Sequence, residues 1–324
     1  MTTQPKIIAP DLDTIRAAHR RIAPHIHRTP VVTCSSLDEI AGARLYFKCE
    51  NLQKTGSFKI RGATNAVFSL SNEEARRGVV APSSGNHAAA LSLAARWRGI
   101  PAWIVMPSNS SQVKKDAVRS YGGQITECEP NIQSREAAAA AIMQQTGAHL
   151  VHPYNDVRVI AGQGTSALEL LEEIPDLDVI LAPVSGGGLL SGTATAAKSL
   201  RPDIRVIGGE PSNADDAFRS LASGSIQPAS HLETMADGLR ATLCPLTFSI
   251  LRERAVQVST VTEGEIVSAM LLLWERAKLV VEPSGAVAAA PALLRRIGAE
   301  GKKVGIILSG GNLDLRDLPF ARPH

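Results

Sequence analysis

A lysine behind a turn of small residues is the side chain in this sequence best placed to act as an amine nucleophile. Lys59 follows Thr55-Gly56-Ser57, and the small and apolar residues after it recur at helical spacing: Ile60, Ala63, Ala66, Val67 and Leu70. The pattern predicts a helix with Lys59 in its first turn, where the positive end of the helix dipole disfavours an ammonium group. The amine would therefore be held neutral and able to form a Schiff base, whereas the ordinary alternative is a solvated lysine.

A triple glycine that follows an apolar run predicts a binding site for a phosphate. Residues 179–184 have the length and composition of a buried strand, Gly186, Gly187 and Gly188 follow, and residues 189–200 have the pattern of a helix. Backbone N–H groups in such a turn can point together at an anion. The spacing is not a dinucleotide fingerprint, because Ser191 takes the third glycine position. It is not a P-loop either, because no Lys-Ser or Lys-Thr pair follows.

Two polar turns complete the residues that could take part in chemistry. Ser83-Ser84-Gly85-Asn86-His87 precedes an alanine-rich helical pattern over residues 88–98, and it offers hydroxyl, amide and N–H donors to a carboxylate. Residues 304–308 form a buried-strand pattern that runs into Ser309-Gly310-Gly311-Asn312. Taken alone, each turn fits a structural role as well as a functional one.

Four sites of this kind, each at a junction between a strand, a turn and a helix, fit an α/β fold whose ligand lies at the carboxyl ends of parallel strands. A lysine, a phosphate site and carboxylate donors together specify a phosphorylated aldehyde cofactor. In these motifs the chain resembles the fold-type II pyridoxal phosphate (PLP) enzymes, which have the tryptophan synthase β-like fold. Within them it is most similar to the group of serine racemases and serine, threonine and hydroxyaspartate ammonia-lyases. The resemblance covers essentially the whole chain, in residues 27–30, 54–62, 83–87, 161–165, 185–192 and 309–312.

The resemblance implies a role for each motif in holding PLP. Lys59 would bind the cofactor covalently and act as a base on one face of the substrate, and Ser84 would stand on the opposite face, where a protonating group permits racemisation. A neutral hydroxyl at Ser309, facing the pyridine nitrogen, would make the ring a weaker electron sink than a carboxylate would, which favours β-elimination over transamination. The other implied cofactor ligands are Phe58 beside the ring, Asn86 at the 3-hydroxyl, and the backbone N–H groups of Gly186, Gly187, Gly188 and Leu189 at the phosphate.

An acidic loop after a further strand pattern is a candidate metal site. Glu210-Pro211-Ser212-Asn213-Ala214-Asp215-Asp216 follows a strand pattern over residues 204–208, and carboxylate and carbonyl oxygens are the ligands of Mg²⁺, Mn²⁺ and Ca²⁺. The ordinary alternative is an acidic surface loop. The resemblance implies a divalent cation held by Glu210, the carbonyl of Ala214 and Asp216, remote from PLP and structural or activating.

Arg135, at the start of an alanine-rich helical pattern, is the residue we expect to select the substrate. A guanidinium binds a carboxylate through two hydrogen bonds, which suits the second carboxylate of 3-hydroxyaspartate and not the methyl group of threonine. The resemblance implies that an arginine at this position faces the substrate pocket. We also expect Ser83, Ser84, Asn86 and His87 to bind the substrate. A solvated arginine on a helix is the ordinary alternative.

We therefore interpret the chain as a PLP-dependent ammonia-lyase (dehydratase) that acts on a small β-hydroxy amino acid, best matched by 3-hydroxyaspartate, and gives oxaloacetate and ammonia. Serine racemase and L-serine or L-threonine dehydratase are the alternatives within the family. From a different class, a nucleotide-binding oxidoreductase would use residues 179–192 as a pyrophosphate turn and Glu210 as a ribose ligand, but it leaves Lys59 and Ser309 without a role. A binding module without catalysis is disfavoured for the same reason.

Composition limits the kind of protein this chain can be. Its 324 residues are 44% hydrophobic and 20% charged, which supplies a large core and a prior of two domains. No apolar stretch is long enough to span a bilayer and the first six residues have no signal-peptide core, so we expect a cytoplasmic protein. The net charge of +3 comes from interleaved acids and bases, which argues against nucleic-acid binding, and four scattered cysteines indicate reduced thiols. The resemblance implies a homodimer that binds a small amino acid.

The order of strand and helix patterns predicts two domains. Strand patterns at residues 78–81, 102–106 and 123–126 alternate with helical patterns at 88–98 and 112–121, which is typical of a parallel sheet. We expect two open parallel-sheet α/β domains. The small, mobile one would comprise residues 71–154, and the large PLP-binding one residues 1–70 and 155–324.

Overall fold

The computed structural model describes residues 9–229, 232–316 and 318–319. The first six residues, on which the expectation of no signal peptide rests, lie outside this description. The described strands form two sheets. They are β1 (Val31–Val32), β2 (Arg44–Cys49), β3 (Val79–Pro82), β4 (Ala102–Pro107), β5 (Gln124–Cys128), β6 (His149–Leu150), β7 (Val179–Pro183), β8 (Arg205–Pro211), β9 (Gln257–Val261) and β10 (Lys303–Leu308).

Both sheets are parallel except where β1 pairs with β2. The larger has the order β1-β2-β10-β7-β8-β9 and the smaller β5-β4-β3-β6. β7 is buried along its whole length, and β10 is buried after its first residue. Burial of this kind is expected where helices cover both faces of a parallel sheet. The predicted α/β class with two parallel sheets is confirmed.

Helices connect the strands and cover both sheets. They are α1 (Leu12–Ile22), α2 (Ser35–Ala41), α3 (Lys59–Phe68), α4 (Asn72–Arg76), α5 (Asn86–Arg98), α6 (Gln112–Ser120), α7 (Ile132–Thr146), α8 (Val157–Glu173), α9 (Gly188–Leu200), α10 (Asp216–Ser223), α11 (Pro245–Glu253), α12 (Glu263–Leu272), α13 (Pro283–Ala286) and α14 (Ala290–Leu293). Short 3₁₀ turns lie at Glu50–Leu52, Lys54–Gly56, Ser212–Ala214 and Asp237–Leu239, and a π-helical turn at Leu273–Ala277. Among the described helices, none has both the length and the apolar character that a membrane crossing requires.

The elements predicted from the sequence are present, with ends that agree within three residues. The largest difference is at the strand pattern of residues 204–208, because the strand β8 continues to Pro211. Its last residues, Gly209, Glu210 and Pro211, pair with β9. The extension places Glu210 near the carboxyl end of a strand.

The helix that carries Lys59 packs into the core of the smaller sheet. All four strands of that sheet lie within residues 79–150. Ile60, Ala63 and Val67 of α3 share one buried cluster with Val79 of β3 and Leu91 of α5. The boundary after residue 70 and the mobility of the small domain stay predictions, but α3 contacts the small sheet although the predicted boundary assigns it to the large domain.

Glycines allow α3, α8 and α9 to pack closely, and this packing links Lys59 to the triple glycine. A Cβ on Gly162 of α8 would lie 2.6 Å from the Cα of Gly62 in α3. A Cβ on Gly192 of α9 would lie 2.5 Å from the backbone nitrogen of Gly164 in α8. Since no side chain fits at either contact, the three helix axes hold a fixed spacing. The glycines at residues 161–165 therefore have a structural reason in this fold.

Candidate active site

Lys59 is the first residue of α3, as predicted, and its amine is desolvated. The preceding turn needs left-handed backbone at Thr55 (φ 62°) and Gly56 (φ 71°). The Nζ donates to the carbonyl of Pro153 at 3.3 Å and lies 5.1 Å from the centre of the Phe58 ring. Burial lowers the pKa of Lys59 to about 8, against an opposing attraction from Glu282. A substantial neutral fraction near neutral pH is what a Schiff-base lysine requires.

The turn before Lys59 is joined directly to the turn that contains Ser309. The Phe58 N–H donates to the Ser309 carbonyl at 3.0 Å. The Asn312 side chain donates to the Thr55 carbonyl at 2.6 Å. Ser309 itself is 2% exposed, and its hydroxyl donates to the Ser284 carbonyl at 3.3 Å. The structure thus brings together two motifs that are about 250 residues apart in the sequence.

Asn86 joins these turns from the smaller sheet. It is the first residue of α5, its Nδ2 donates to Oε1 of Glu282 at 2.8 Å, and its Oδ1 accepts from Asn312 at 2.9 Å. These contacts orient the amide beside Lys59, and one N–H of the Asn86 amide remains for the 3-oxygen of a pyridine ring. The predicted cofactor ligands Phe58, Lys59, Asn86 and Ser309 therefore form one cluster.

Glu282 is a site residue that the sequence analysis missed. It is buried, and desolvation, together with repulsion from Asp237, raises the pKa of its carboxyl to about 8. A Cβ on Gly310 would lie 2.3 Å from Oε1 of Glu282, so the glycine at 310 makes room for this carboxyl. A signal was present in the sequence: a single acid follows the apolar run Leu279-Val280-Val281 and precedes a proline.

The triple glycine begins a buried helix that has no side-chain cap. Gly187 has left-handed backbone (φ 87°), and α9 starts at Gly188. The first helical bond is made by Ser191, whose N–H donates to the Gly187 carbonyl at 2.8 Å. The N–H groups of Gly188, Leu189 and Leu190 come before that bond in the chain and have no acceptor within the helix. All three residues are buried. A buried helix start of this kind requires an acceptor, and a phosphate fits.

One of the predicted phosphate donors is already engaged. The Gly187 N–H donates to the Val184 carbonyl at 2.9 Å, whereas Leu190, which was not predicted, lies in the open first turn. Tyr154 explains why glycines are needed here, because a Cβ on Gly186 would lie 2.5 Å from its ring. Thr247 supports the loop from the other side by donating to the Gly186 carbonyl at 2.9 Å. Tyr154 and Thr247 are distant in sequence from the glycines, and the sequence analysis missed both.

A buried ion network fixes the helix of Lys59. Arg61 is fully buried, its Nε donates to Glu50 at 2.7 Å, and its Nη2 donates to Glu169 at 2.8 Å. Lys48 donates to Glu169 at 2.7 Å, so two cations balance two anions. Attraction by these cations lowers the pKa of Glu169 to about 2 despite its burial. Since leaving one buried charge unpaired costs about 3–5 kcal/mol, the network holds α3 against β2 and α8.

His87 is neutral and cannot donate to a substrate carboxylate in this arrangement. Burial and the nearby Lys59 lower its pKa to about 3. Its Nε2 is 2.9 Å from the Val151 carbonyl, which only a protonated Nε2 can satisfy, and its Nδ1 is buried with no partner in the described part of the chain. The free Nδ1 can accept from a hydroxyl or an ammonium group, so a role for His87 at the substrate would be as an acceptor.

The remaining predicted substrate residues lie on the side of the smaller sheet. Ser83 and Ser84 are half-buried just after β3, and the Ser83 hydroxyl accepts from the Gly85 N–H at 3.4 Å. Arg135 is half-buried in the first turn of α7, and its side chain forms no hydrogen bond or ion pair with any described residue. Burial raises the pKa of Tyr154, which packs beneath the glycine loop, and the positive charge of Arg135 opposes that rise. Within the part of the chain that the structure describes, Arg135 is therefore a cation without a hydrogen-bond or ion-pair partner, on the side of the phosphate loop.

The three predicted metal ligands, Glu210, Ala214 and Asp216, are buried, whereas Ser212 and Asn213 of the same loop are exposed. Glu210 is 1% exposed and Asp216 is 2% exposed. The Glu210 oxygens accept from the N–H groups of Ala217 and Phe218 at 2.9 and 2.8 Å, and Oδ2 of Asp216 has no hydrogen-bond partner among the described residues. Desolvation raises the pKa of Glu210 to about 8 and that of Asp216 to about 6. A hard cation would fit these two carboxylates and the neighbouring carbonyl of Ala214.

That set contains only two metal-binding side chains. Across residues 9–229, 232–316 and 318–319, no three or more His, Cys, Asp or Glu side chains group as metal ligands. The fit to a cation at the loop therefore rests on the unpartnered oxygen of Asp216 and on the burial of both carboxylates.

Comparisons of the sequence and of the structure with known proteins identify the family of this chain. A family model described as pyridoxal-phosphate dependent enzyme matches residues 22–310. The beta-hydroxyaspartate dehydratase of Paracoccus denitrificans (strain Pd 1222) is 50% identical over 311 residues, which cover 96% of this chain and 99% of that protein. The serine racemase of Arabidopsis thaliana is 52% identical over 315 residues, which cover 96% and 95% of the two chains. The structure of maize serine racemase is similar with a TM-score of 0.93 and 49% identity over 95% of each chain. The chain therefore belongs to the pyridoxal-phosphate dependent enzymes of fold type II.

Proposed function

We propose that this chain is a PLP-dependent ammonia-lyase that acts on 3-hydroxyaspartate. The substrate loses the proton on its α-carbon and the hydroxyl on its β-carbon, together one water molecule, and leaves an enamine. The enamine tautomerises to an imine, and water hydrolyses the imine to oxaloacetate and ammonia. The similarity to a beta-hydroxyaspartate dehydratase over nearly the whole of both chains supports this substrate.

The observation that carries the substrate class is the unpaired charge of Arg135. Among the described residues this half-buried guanidinium has no carboxylate partner, so it loses hydration and gains no ion pair in return. The second carboxylate of 3-hydroxyaspartate would supply that partner through two charge-assisted hydrogen bonds. Serine and threonine have no such group, so either substrate would leave the charge unpaired.

Lys59 is the base in this proposal. Because desolvation lowers its pKa to about 8, part of the amine is neutral near pH 7 and can take the proton from the substrate α-carbon. The Pro153 carbonyl, 3.3 Å from Nζ, limits the directions in which the amine can point. When bound, PLP stabilises the electron pair that remains on the α-carbon. Ser309 would face the ring nitrogen, and its neutral hydroxyl would not hold that nitrogen protonated, which would favour loss of the β-hydroxyl over transamination.

Serine racemisation is the second candidate, and Ser84 is the observation that favours it. Its half-buried hydroxyl makes no hydrogen bond to any described residue, so it is free to give or take a proton at the substrate. The similarity to serine racemases at 52% and 49% identity supports the same activity. Membership of the PLP family removes the basis for the oxidoreductase alternative, since Glu210 is bonded to the N–H groups of α10 and not placed at a ribose.

A divalent cation, Mg²⁺, Mn²⁺ or Ca²⁺, is part of the proposal. Glu210, the carbonyl of Ala214 and Asp216 would hold it, and the burial of both carboxylates supports this assignment. The charge of the cation would offset the cost of burying two acids, so its role is to stabilise the junction between β8 and α10. We also propose, as the sequence suggests, that the enzyme is a cytoplasmic homodimer. Light scattering on the purified holoenzyme would test the oligomer.

The test of the proposed function is steady-state turnover on a panel of amino acids. The panel contains L-serine, D-serine, L-threonine and both diastereomers of 3-hydroxyaspartate, and the assays measure keto acid, ammonia and the opposite enantiomer. One hydroxyaspartate diastereomer should have the highest kcat/KM. A higher kcat/KM for serine, with D-serine as the main product, would replace the lyase by the racemase.

A further inference from the structure

Two charged side chains from opposite sides of the candidate active site meet at its edge. Lys114 of α6 donates from Nζ to Oδ2 of Asp237 at 2.7 Å. Lys114 belongs to the smaller sheet, because α6 packs against α5 and β5. Asp237 opens the 3₁₀ turn Asp237–Leu239, which lies 123 residues later in the sequence. We propose that Lys114 and Asp237 form a latch that holds the substrate cleft closed, the cleft being the space between the two sheets at Lys59 and Asn86.

The turn that carries Asp237 is attached firmly on its other side. The Gly238 N–H donates to the Ser284 hydroxyl at 3.1 Å, and the Ser185 hydroxyl donates to the Gly238 carbonyl at 3.1 Å. Ser185 directly precedes the glycine loop, and the Ser284 carbonyl accepts from Ser309. The turn is thus tied to two walls of the cofactor site, while Lys114 ties it to the smaller sheet.

The latch lies outside a second, buried connection between the same two parts. Asn86 reaches Glu282 inside the cleft. The side chains of Lys114 and Asp237, by contrast, are 45% and 51% exposed. Water competes for both charges of an exposed pair, so the pair is weak enough to separate and re-form. The two charges also reach into the site, because Asp237 raises and Lys114 lowers the pKa of Glu282.

A matched control pair lies on the same helix. Arg119 contacts Asp116 at 3.2 Å with side chains that are 51% and 62% exposed, and both residues are in α6. That pair has similar exposure but does not bridge the two sheets. Removing it tests whether any loss of a surface ion pair on α6 has the same effect.

The test compares four variants of the holoenzyme with the wild type: Lys114→Met, Asp237→Asn, the exchanged double variant K114D/D237K, and Arg119→Met. The first readout is amide hydrogen exchange of the segment 235–241 without substrate, and the second is KM and kcat for the best substrate of the panel. K114M and D237N should each raise the exchange rate and KM by about two- to fivefold, the most that an exposed ion pair shifts a two-state equilibrium. K114D/D237K should restore both, and R119M should change neither.

Three results would overturn the latch: exchange and KM in K114M and D237N equal to the wild type, an exchanged pair that fails to restore them, or exchange that rises equally over the whole chain. The exchange measurement needs no substrate. A wrong assignment of the substrate would therefore leave the outcome for the latch intact.

Discussion

Glu282 and Asn86 face each other across the candidate active site, with 2.8 Å between Oε1 of Glu282 and Nδ2 of Asn86. Asn86 comes from the smaller sheet, and Glu282 lies directly before α13. Burial disfavours the charged form of Glu282 and raises the pKa of its carboxyl to about 8. The Asn86 amide, which we predict to bond the cofactor ring, is thus oriented by an acid that is protonated through most of the neutral range.

The stability of the apoprotein should depend on pH through Glu282. In the folded state the carboxyl keeps its proton up to about pH 8, whereas the ordinary value is 4.5. The contribution of the protonated Glu282 carboxyl to the free energy of unfolding is fully present below pH 4.5 and is lost as the pH rises through 8. Glu282→Gln keeps the acceptor for Asn86 but does not titrate. Urea unfolding is measured at pH 5, 6, 7 and 8. The difference in free energy of unfolding, variant minus wild type, should increase with pH. Lys59 also has a shifted pKa, but it is present in both proteins, so its effect on the pH dependence cancels in the comparison. A difference that stays constant from pH 5 to 8 would contradict the raised pKa.

Local patterns in the sequence were sufficient to predict the elements that carry the site. The apolar periodicity after Lys59 predicts α3, and the apolar run before Gly186 predicts β7, because each signal lies within one element. The position of Ser309 after β10 follows from the same kind of pattern. In each case the chemistry and its structural context occupy fewer than about 20 neighbouring residues.

Contacts between distant parts of the chain could not be predicted in this way. Asn86 and Glu282 are 196 residues apart, and nothing near Glu282 indicates its partner. In the sequence Arg61 is an ordinary polar residue of a helix. Only the folded chain places Glu50 and Glu169 in contact with it. The engaged N–H of Gly187 depends on backbone angles, which a triple glycine leaves open.

Lys59 should be the residue that binds PLP covalently. Borohydride reduction of the yellow holoenzyme should fix the label on the peptide that contains Lys59. Lys59→Ala and Lys59→Arg should both lose the borohydride-fixed PLP label and the turnover. Lys59→Arg should lose them even though arginine keeps the positive charge. Peptide mapping by mass spectrometry is the measurement. A label on any other lysine would refute the assignment.

Reattachment of PLP to the apoenzyme should be fast at neutral pH. With a pKa of about 8, about a tenth of the Lys59 amine is neutral at pH 7, roughly 300 times the fraction at the ordinary lysine value of 10.5. Only the neutral amine attacks the aldehyde, so the rate should rise with pH and level off above about pH 8. Stopped-flow absorbance from pH 6 to 10 measures it. A rate that still rises steeply between pH 9 and 10 would show an ordinary lysine.

Ser84→Ala should separate racemisation from elimination. If Ser84 acts on the face opposite Lys59, the variant loses racemase activity by a large factor but keeps elimination from the L-substrate, because Lys59 still removes that proton. The neighbouring variant Ser83→Ala is the matched control and should change the ratio of the two activities little. Chiral analysis of the products gives the ratio. Equal loss of both activities in Ser84→Ala, with cofactor content unchanged, would remove Ser84 from this role.

The metal loop should make the melting temperature depend on divalent cations. A ligand that binds only the folded state stabilises it by about 2.7 kcal/mol at 100 times its Kd. After chelation, Mg²⁺, Mn²⁺ or Ca²⁺ should therefore raise the Tm of the wild type and not that of Asp216→Asn. Asp215→Asn is the control, because the neighbouring Asp215 pairs with Arg219 and is not a proposed ligand. An unchanged Tm in the wild type, after metal analysis confirms a metal-free start, would leave the loop without a cation.

Arg135→Ala should distinguish hydroxyaspartate from serine as substrate. The variant removes the partner of the second carboxylate, and a hydrogen bond to a charged group contributes about 1.5–3 kcal/mol, so kcat/KM for hydroxyaspartate should fall on the order of a hundredfold. Serine has no such carboxylate, and its turnover should change much less. Arg135→Lys keeps the charge but not the two parallel donors, and it should fall between the wild type and Arg135→Ala. A general folding defect would depress both substrates alike, so Tm and cofactor content are measured for each variant. Equal losses for both substrates, with Tm and cofactor content preserved, would show that Arg135 does not select the substrate and would favour serine.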